Sequence, residues 1–578
     1  MPIVRKKKKK LKAKALSGGS GSGSHVISDL RPVHVEKLAP CMSGCPQGTL
    51  VRDALNIISL HEKHGISLEE SFNQAWYKWT EVNPLPSILG RVCPHPCESE
   101  CNRKEKEGDS AVSINQVERF LGDWGLNNGL KLKKIDADVE REEKVAIIGS
   151  GPAGLGCAFH LARKGYKVKM FEAFSEPGGM LRYGIPAYRM PRDLLSAEIK
   201  RILDLGVELE TNVTIGKDIP YEKISDEFDA VFIGIGAHKG RKLGVPGEDA
   251  ENVVTGAAFL NMVNSGEPPD VGDKVVVVGG GDSAMDAARV SLRMGADVTV
   301  VYRRTRNEMP AIEEDIVGAE EEGIKFNFLC TPIEVFTKDD KAYKMKCQKM
   351  ELGEPDDSGR RRPVPIEEYF DLECTYLIPS ISQEPEFEGL ENLKAGPREW
   401  VHADDFMQSK DVDDNFFAGG DVLDLGLVTI ALYQGRRAAE TIHARFLDLP
   451  VQFDPKPPLI TPKEWLDPDD GINHKNLLFD HFEQKPRVEK HELPVAERFE
   501  DPEREISETI TAEEVLEEAL RCMSCGACIE CGQCWTYCQD SCIEKPLLPG
   551  DKYAFKLDNC KGCKKCEEVC PCGYIDMK

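Results

Sequence analysis

Apolar and polar positions change rhythm several times along this chain of 578 residues. Residues 51–64 and 117–124 carry apolar side chains at helical spacing on either side of a proline-rich turn at 83–86, which predicts a small helical domain over 25–135. From Lys144 the pattern switches. Residues 145–148 form a continuous apolar run of strand length, followed by a turn, a helix to about Lys164 and a second strand over 167–172. The same order returns at 275–278, with a helix to about Met294 and a strand over 297–302. Strand texture resumes after Glu308, ends at 415–421, and gives way to a helical stretch over 428–445.

The two turns carry the first chemistry. Gly149-x-Gly151-x-x-Gly154 and Gly279-x-Gly281-x-x-Ala284 each follow an apolar strand and open a helix, whose free amides suit a pyrophosphate. Glu172 ends the second strand of the first unit, where an acid accepts hydrogen bonds from ribose hydroxyls. The second unit has Arg303 and Arg304 there, with Arg306 nearby, which favours a 2′-phosphate and so NADPH over NADH. The arrangement predicts an α/β protein in which a flavin-type Rossmann-like domain, 136–250 with 405–446, is interrupted by a nicotinamide-type one, 251–404.

Composition sharpens the ends of the chain. Of 21 Cys, 17 lie in two terminal groups, while Cys157, Cys330, Cys347 and Cys374 are scattered. The last segment reads Cys522-x2-Cys525-x2-Cys528-x2-Cys531-x2-Cys534-x3-Cys538, then Cys560-x2-Cys563-x2-Cys566-x3-Cys570-Pro571. This is the spacing of a two-cluster ferredoxin, in which the fourth Cys of each run serves the other cluster: Cys528, Cys531, Cys534 and Cys570 form one [4Fe-4S] set, Cys560, Cys563, Cys566 and Cys538 the other. Zinc sites and disulfides fit the spacing poorly. Residues 511–578 are therefore read as an α+β ferredoxin-like domain, reached through a proline- and charge-rich extended connector at 447–510.

A net charge of −25 disfavours nucleic acid as a general partner, and no apolar stretch of about 18 residues predicts a membrane span. A reducing cytoplasm suits the thiolates. The basic run from Arg5 to Lys14 and the Gly/Ser linker behind it, residues 1–24, read as a disordered tail, with a nucleic-acid or membrane arm as the other reading. A redox Cys-x-x-Cys of the thioredoxin-reductase kind is missing from the nucleotide region, where Cys330 and Cys347 stand alone.

In combination, Gly178-Gly-Met-Leu-Arg-Tyr-Gly-Ile-Pro186, Gly279-Gly-Gly-Asp-Ser-Ala284, Tyr302-Arg-Arg304, Met309-Pro310, Ala418-Gly-Gly-Asp421 and Gly435-Arg-Arg-Ala-Ala439 resemble the small subunit of glutamate synthase and its relatives. The resemblance covers about residues 40–445. It implies FAD at Gly149, Gly151, Gly154, Glu172, Gly179, Gly420 and Asp421, and NADP(H) or NAD(H) at Gly279, Gly281, Asp282, Ser283, Arg303 and Arg304. It implies no catalytic side chain, because hydride transfer between stacked rings needs alignment above all.

The N-terminal cysteines match the same family. There the resemblance implies a cluster on Cys45, Cys93, Cys97 and Glu118, the alternative for Glu118 being a solvent-facing helix position. A second cluster would need Cys41, Cys101 and an upstream Cys-x2-Cys that residues 25–40 lack. Arg521-Cys-Met-Ser-Cys525, behind a short helix at 512–520, resembles that lost pair, so Cys522 and Cys525 are expected to complete the set; otherwise Cys41 and Cys101 are plain buried thiols. Three to four clusters follow, with Cys542 and Cys572 left over.

Among family branches, Trp535-x2-Cys538 and Cys570-Pro-Cys-Gly-Tyr-Ile575 most resemble the iron–sulfur flavoprotein that works with dissimilatory sulfite reductase. That branch implies an NAD(P)H:acceptor oxidoreductase feeding an iron–sulfur partner in sulfur metabolism. A glutamate synthase small subunit, an electron-input subunit of another iron–sulfur oxidoreductase, and a non-enzymatic relay are the alternatives. Homodimerisation is left open.

Overall fold

The computed structural model describes residues 28–578 except 136–137, 357–358, 396–397, 410–411, 452–470 and 549. The basic tail and linker at 1–24 lie outside the described residues.

The first region is helical. Helices Val51–Ser59, Leu68–Thr80, Pro86–Val92 and Ile114–Asn127 pack around Phe72, Trp76, Trp79 and Leu121, all buried. Ser67 caps the second of these by accepting a hydrogen bond from the Glu70 amide at 3.1 Å. The helices Pro86–Val92 and Ile114–Asn127 cross at Gly122, where a Cβ would stand 2.1 Å from the Ser87 nitrogen. Only glycine allows that approach.

The apolar runs form two parallel sheets. Phe416–Ala418, Ala230–Ile233, Lys144–Ile148, Lys167–Phe171 and Glu208–Glu210 lie side by side in that order. Tyr376–Pro379, Lys274–Val278, Asp297–Tyr302 and Lys325–Phe328 make the second sheet. The late strand Phe416–Ala418 joins the first sheet, so the chain leaves one unit, builds the other and returns, with Val428–Phe446 packed on the helix Pro152–Ala162. Both sheets are buried on their two faces, which is why their strands read as continuous rather than alternating apolar runs. A three-stranded antiparallel sheet, Cys330–Lys338, Lys341–Pro355 and Arg361–Glu373, extends from the second unit.

The described residues 471–510 carry little regular structure beyond the short 3-10 turns His474–Asn476, Phe479–His481 and Val495–Phe499 and a two-residue pairing of His491–Glu492 with Ser507–Glu508. Helix Ala512–Arg521, with a Thr511/Glu514 capping box, then packs on the helical N-terminal region. Beyond it the cysteine-rich segment holds two short strand pairs. One joins Ile543–Glu544 to Ala554–Phe555; the other joins Ile575–Met577 to Pro32–His34, far away in the chain.

Candidate functional site

One cavity of about 1300 Å³ runs between the two sheets and is bordered by both glycine turns. Gly149, Gly151, Glu172, Gly179, Gly420 and Asp421 line one side; Gly279, Gly281, Asp282, Ser283, Arg303 and Arg304 line the other. Gly154 does not reach it. It sits beneath the first turn, where a Cβ would meet the Gly149 carbonyl oxygen at 2.0 Å, so its role is to let the helix start close to the strand. Gly151 and Gly281 are the N-caps of helices Pro152–Ala162 and Asp282–Arg293.

Glu172 is buried at the strand end and held by backbone. The Ser150 amide donates to Oε2 and the Phe174 amide to Oε1, both at 2.9 Å, which fixes the carboxylate at the cavity edge. Asp421 accepts from the Gly426 amide at 3.1 Å, and burial pushes its pKa up to about 6. Asp282 uses Oδ1 to accept from the Ile312 amide at 2.8 Å and thereby pins the loop below the second turn.

The arginines divide. Arg303 is exposed at the cavity. Arg304 is buried, pairs with Asp356 at 2.6 Å and donates to the Arg361 carbonyl at 2.8 Å, so it anchors the long hairpin to the nucleotide unit. Arg306 is bound to Glu313 and Glu320 on the surface. Arg360, from the hairpin turn, lines the cavity instead. Sequence reading missed it because the hairpin folds back 57 positions from Arg303. Cys330 and Cys347, alone in sequence, lie within hydrogen-bonding reach on neighbouring strands, with Cys330 on the cavity wall.

The terminal cysteines gather in four groups. Burial, then Cys45, Glu98, Cys93 and Glu118, raises the Cys97 thiol, so these side chains share one site; Val92 and Pro94, flanking Cys93, line the nucleotide cavity. Glu118 is not solvent-facing: it is 5% exposed, with Trp79 Nε1 and Asn83 Nδ2 donating to Oε1 at 3.1 and 2.6 Å and His95 Nε2 3.3 Å from Oε2. In the second group burial, then Cys522, Cys101 and Cys525, raises the Cys41 thiol. The tail thus brings Cys522 and Cys525 to Cys41 and Cys101. In the third, Cys534 faces Cys528, Cys531 and Cys570. In the fourth, Cys566 faces Cys560 and Cys563, and Cys538 approaches through Cys542, which neighbours both Cys538 and Cys560.

Helix Ala512–Arg521 is locked in place by charge. Arg521 bonds Asp109 and Glu518 at 2.8 Å each, Arg103 pairs with Asp109 at 2.7 Å, and all four side chains are buried. Glu518 in turn accepts from the Ser113 and Val488 amides at 2.7 Å each. On the far side of the loop, Asn56 Nδ2 donates to the Cys528 carbonyl at 3.2 Å and Arg52 to that of Cys525 at 3.2 Å.

A family model described as pyridine nucleotide-disulphide oxidoreductase matches residues 143–435, and one described as dihydropyrimidine dehydrogenase domain II, 4Fe-4S cluster, matches residues 34–130. The beta subunit of an NADPH-Fe(3+) oxidoreductase from Geobacter sulfurreducens is 36% identical, over 84% of this chain and 75% of its own length. The beta subunit of an NADP(+)-dependent formate dehydrogenase from Moorella thermoacetica is 35% identical, over 84% and 70%. The small chain of a glutamate synthase [NADPH] from Halomonas elongata is 36% identical, over 62% of this chain and 80% of its own. The chain belongs to the glutamate synthase small-subunit-like family of FAD/NADPH iron–sulfur oxidoreductases. It is an enzyme of FAD, NADP and [4Fe-4S] clusters.

Local geometry in the four thiol groups fits such clusters. His95, Ser524, Glu530 and Gly562 all have positive φ, at 51°, 46°, 53° and 68°, and each points its backbone N–H at the sulfur two residues earlier, 3.4 Å away. One such turn occurs in each group. Three of the four residues are not glycine, so the strained conformation left no mark in the sequence. Burial pushes the thiols of Cys522 and Cys528 up to about 11 and of Cys525 and Cys534 to about 12. Thiols held that high are poor nucleophiles, and a cationic cluster core supplies the charge that deprotonates them. Among the described residues no three Cys, His, Asp or Glu side chains converge tightly enough for a single metal ion. Among the described residues no helix is long and apolar enough to cross a membrane.

Proposed function

We propose that this NADPH-dependent oxidoreductase is the electron-input subunit of an iron–sulfur enzyme, and that its four thiol groups form one internal wire. When bound, FAD takes a hydride from NADPH and the clusters carry its two electrons singly. Gly149, Gly151 and Glu172 hold the flavin nucleotide, with Gly179, Gly420 and Asp421 closing over it; Gly279, Gly281 and Ser283 hold the pyrophosphate of NADPH and Arg303 its 2′-phosphate. Cys45, Cys93, Cys97 and Glu118 stand beside the cavity. Cys41, Cys101, Cys522 and Cys525 come next, since Cys41-x3-Cys45 and Cys97-x3-Cys101 bridge the two groups. Cys572, buried between Cys525 and Cys528, adjoins the third group, Cys528, Cys531, Cys534 and Cys570. The last, Cys538, Cys560, Cys563 and Cys566, includes the exposed Cys563.

The observation that carries this reading is the meeting of Cys41 and Cys101 with Cys522 and Cys525. A ligand set drawn from both ends of the chain fastens the ferredoxin module to the flavin body. The beta-subunit relatives, aligned over 521 and 524 residues, support an input role beside a separate catalytic subunit. The tail motifs around Trp535 and Cys570 favour dissimilatory sulfite reductase as that subunit, in a reducing cytoplasm. A second reading, the small subunit of glutamate synthase, has the support of the Halomonas chain aligned over 388 residues. Anaerobic affinity purification separates them: sulfite reductase subunits retained with the chain support the first partner, a large amidotransferase subunit the second. Bound flavin that NADPH leaves unbleached under the same conditions rejects the redox reading itself.

A further inference from the structure

The ferredoxin module repeats itself, and the repeat is unequal at one place. In each half the fourth cysteine accepts a hydrogen bond from the backbone four residues on: Cys542 N–H to Cys538 Sγ at 3.3 Å, and Tyr574 N–H to Cys570 Sγ at 3.2 Å. A strand starts at once after each, Ile543–Glu544 in one half and Ile575–Met577 in the other. Cys542 and Tyr574 are therefore equivalent positions. Tyr574, 4% exposed, lines the cavity bounded by Cys528, Cys531, Cys534 and Cys570. The equivalent side chain in the other half must face the other thiol group.

That side chain is a thiol. Cys542 is 5% exposed, its Sγ stands 3.1 Å from Cys538 Sγ, and Cys560 is within hydrogen-bonding reach on its other side. The distance to Cys538 is that of an S–H···S contact and far exceeds a disulfide bond of about 2.05 Å. The group of Cys538, Cys560, Cys563 and Cys566 thus contains a fifth thiol, placed between two of its members, where the other half has a phenol.

We propose that Cys542 is a reserve ligand of the outermost cluster site, taking the place of Cys538 when that bond is lost. The exchange breaks the iron–sulfur bond to Cys538 and forms one to Cys542. The Cys542 proton passes across the 3.1 Å contact to the departing Cys538 thiolate, and no electron changes hands. With Cys538 in place, the Cys542 thiol instead donates a hydrogen bond to a ligand sulfur, an interaction that tunes cluster potential.

The proposal rests on the reading that Cys538, Cys560, Cys563 and Cys566 hold a cluster, and the test separates the two. Full-length Cys538→Ala, Cys542→Ala and the double variant are purified anaerobically and compared for iron, flavin content and the electron paramagnetic resonance of the dithionite-reduced protein. Each single variant is expected to keep the wild-type iron, Cys538→Ala with an altered signal, and the double variant to lose the four irons of one cubane. Loss of those irons in Cys538→Ala alone overturns the reserve role. Wild-type iron and an unaltered signal in all three variants overturn the cluster assignment beneath it. Flavin content reports the fold; if the double variant fails to retain flavin, iron and signal in Cys538→Ala alone decide, since retained iron with an altered signal requires a substitute ligand.

Discussion

Arg521 and Asp109 stand 412 positions apart in the chain and meet at 2.8 Å, Nη2 to Oδ1, with both side chains removed from solvent. The same guanidinium bonds Glu518 through Nη1 at 2.8 Å, so one arginine joins two buried carboxylates, of which Asp109 is shared with Arg103. Removing one member of a buried pair leaves an uncompensated charge, which costs about 3–5 kcal/mol. Arg521→Ala is expected to lose about that much stability in urea unfolding, and Arg521→Lys to recover only part, because a single ammonium cannot span both acids. A loss under about 1 kcal/mol would mean that the helix docks by its apolar face alone.

Cys522→Ala/Cys525→Ala is expected to lose the iron of one cubane while the flavin stays bound, since the substitutions leave the cavity untouched. Cys41→Ala/Cys101→Ala should give the same iron count and the same missing spectral component, because both pairs belong to one group. Unchanged iron in the first double variant rejects the shared site.

The division of labour between the arginines predicts different losses. Arg303→Ala is expected to weaken NADPH binding roughly ten- to a hundredfold, as for a charge-assisted hydrogen bond, and to leave NADH binding nearly unchanged. Arg304→Ala removes the pairing with Asp356 and frees the hairpin, so it should weaken both nucleotides. Titration of each variant with both nucleotides checks this, and equal losses for Arg303→Ala would reject its phosphate role.

Glu198 links the helical region to the flavin unit. It is wholly buried, accepts from the Ser87 amide at 3.1 Å at the start of helix Pro86–Val92, and burial pushes its pKa up to about 8. The folded state thus keeps a proton that the unfolded chain loses above about 4.5, so stability falls as pH rises through this window and levels off above about 8. Glu198→Gln carries no such charge. Relative to it, the wild type is expected to lose up to about 2 kcal/mol between pH 6 and 8, read from denaturant midpoints; parallel pH profiles would reject the assignment.

What the sequence disclosed followed the range of each interaction. Strand, turn and helix signals over 145–172 and 275–302 are local, and the parallel sheets appear where those runs lie. Glu118 had two readings because helical periodicity ranks faces only by nearby residues, whereas its burial comes from Trp79 and Asn83 on other elements. Asp109, Glu518 and Arg521 look like ordinary surface charges in a chain that is 30% charged; what buries them is the contact of Arg521 with Asp109 and of Glu518 with the Ser113 amide, 412 and 405 positions away. Arg304 lines the cavity, but the pairing that occupies its guanidinium was hidden for a similar reason, since Asp356 arrives on a hairpin whose fold-back no turn motif announced. The cysteines were the opposite case: their spacing is itself the geometry of a cluster turn, and only the left-handed residues between them were hidden.

The strand Pro32–His34 runs antiparallel to Ile575–Met577, and Ser28 reaches the Lys561 and Gly562 carbonyls beside it. Segments from opposite ends of the sequence are thereby paired on the ferredoxin-like module. A module so moored cannot swing between donor and acceptor as a tethered carrier does. On the proposed route, its outer face is then expected to act as a stationary berth for the partner's acceptor. Transfer within the chain should then be indifferent to solvent viscosity, while transfer to the partner should follow the lifetime of the complex.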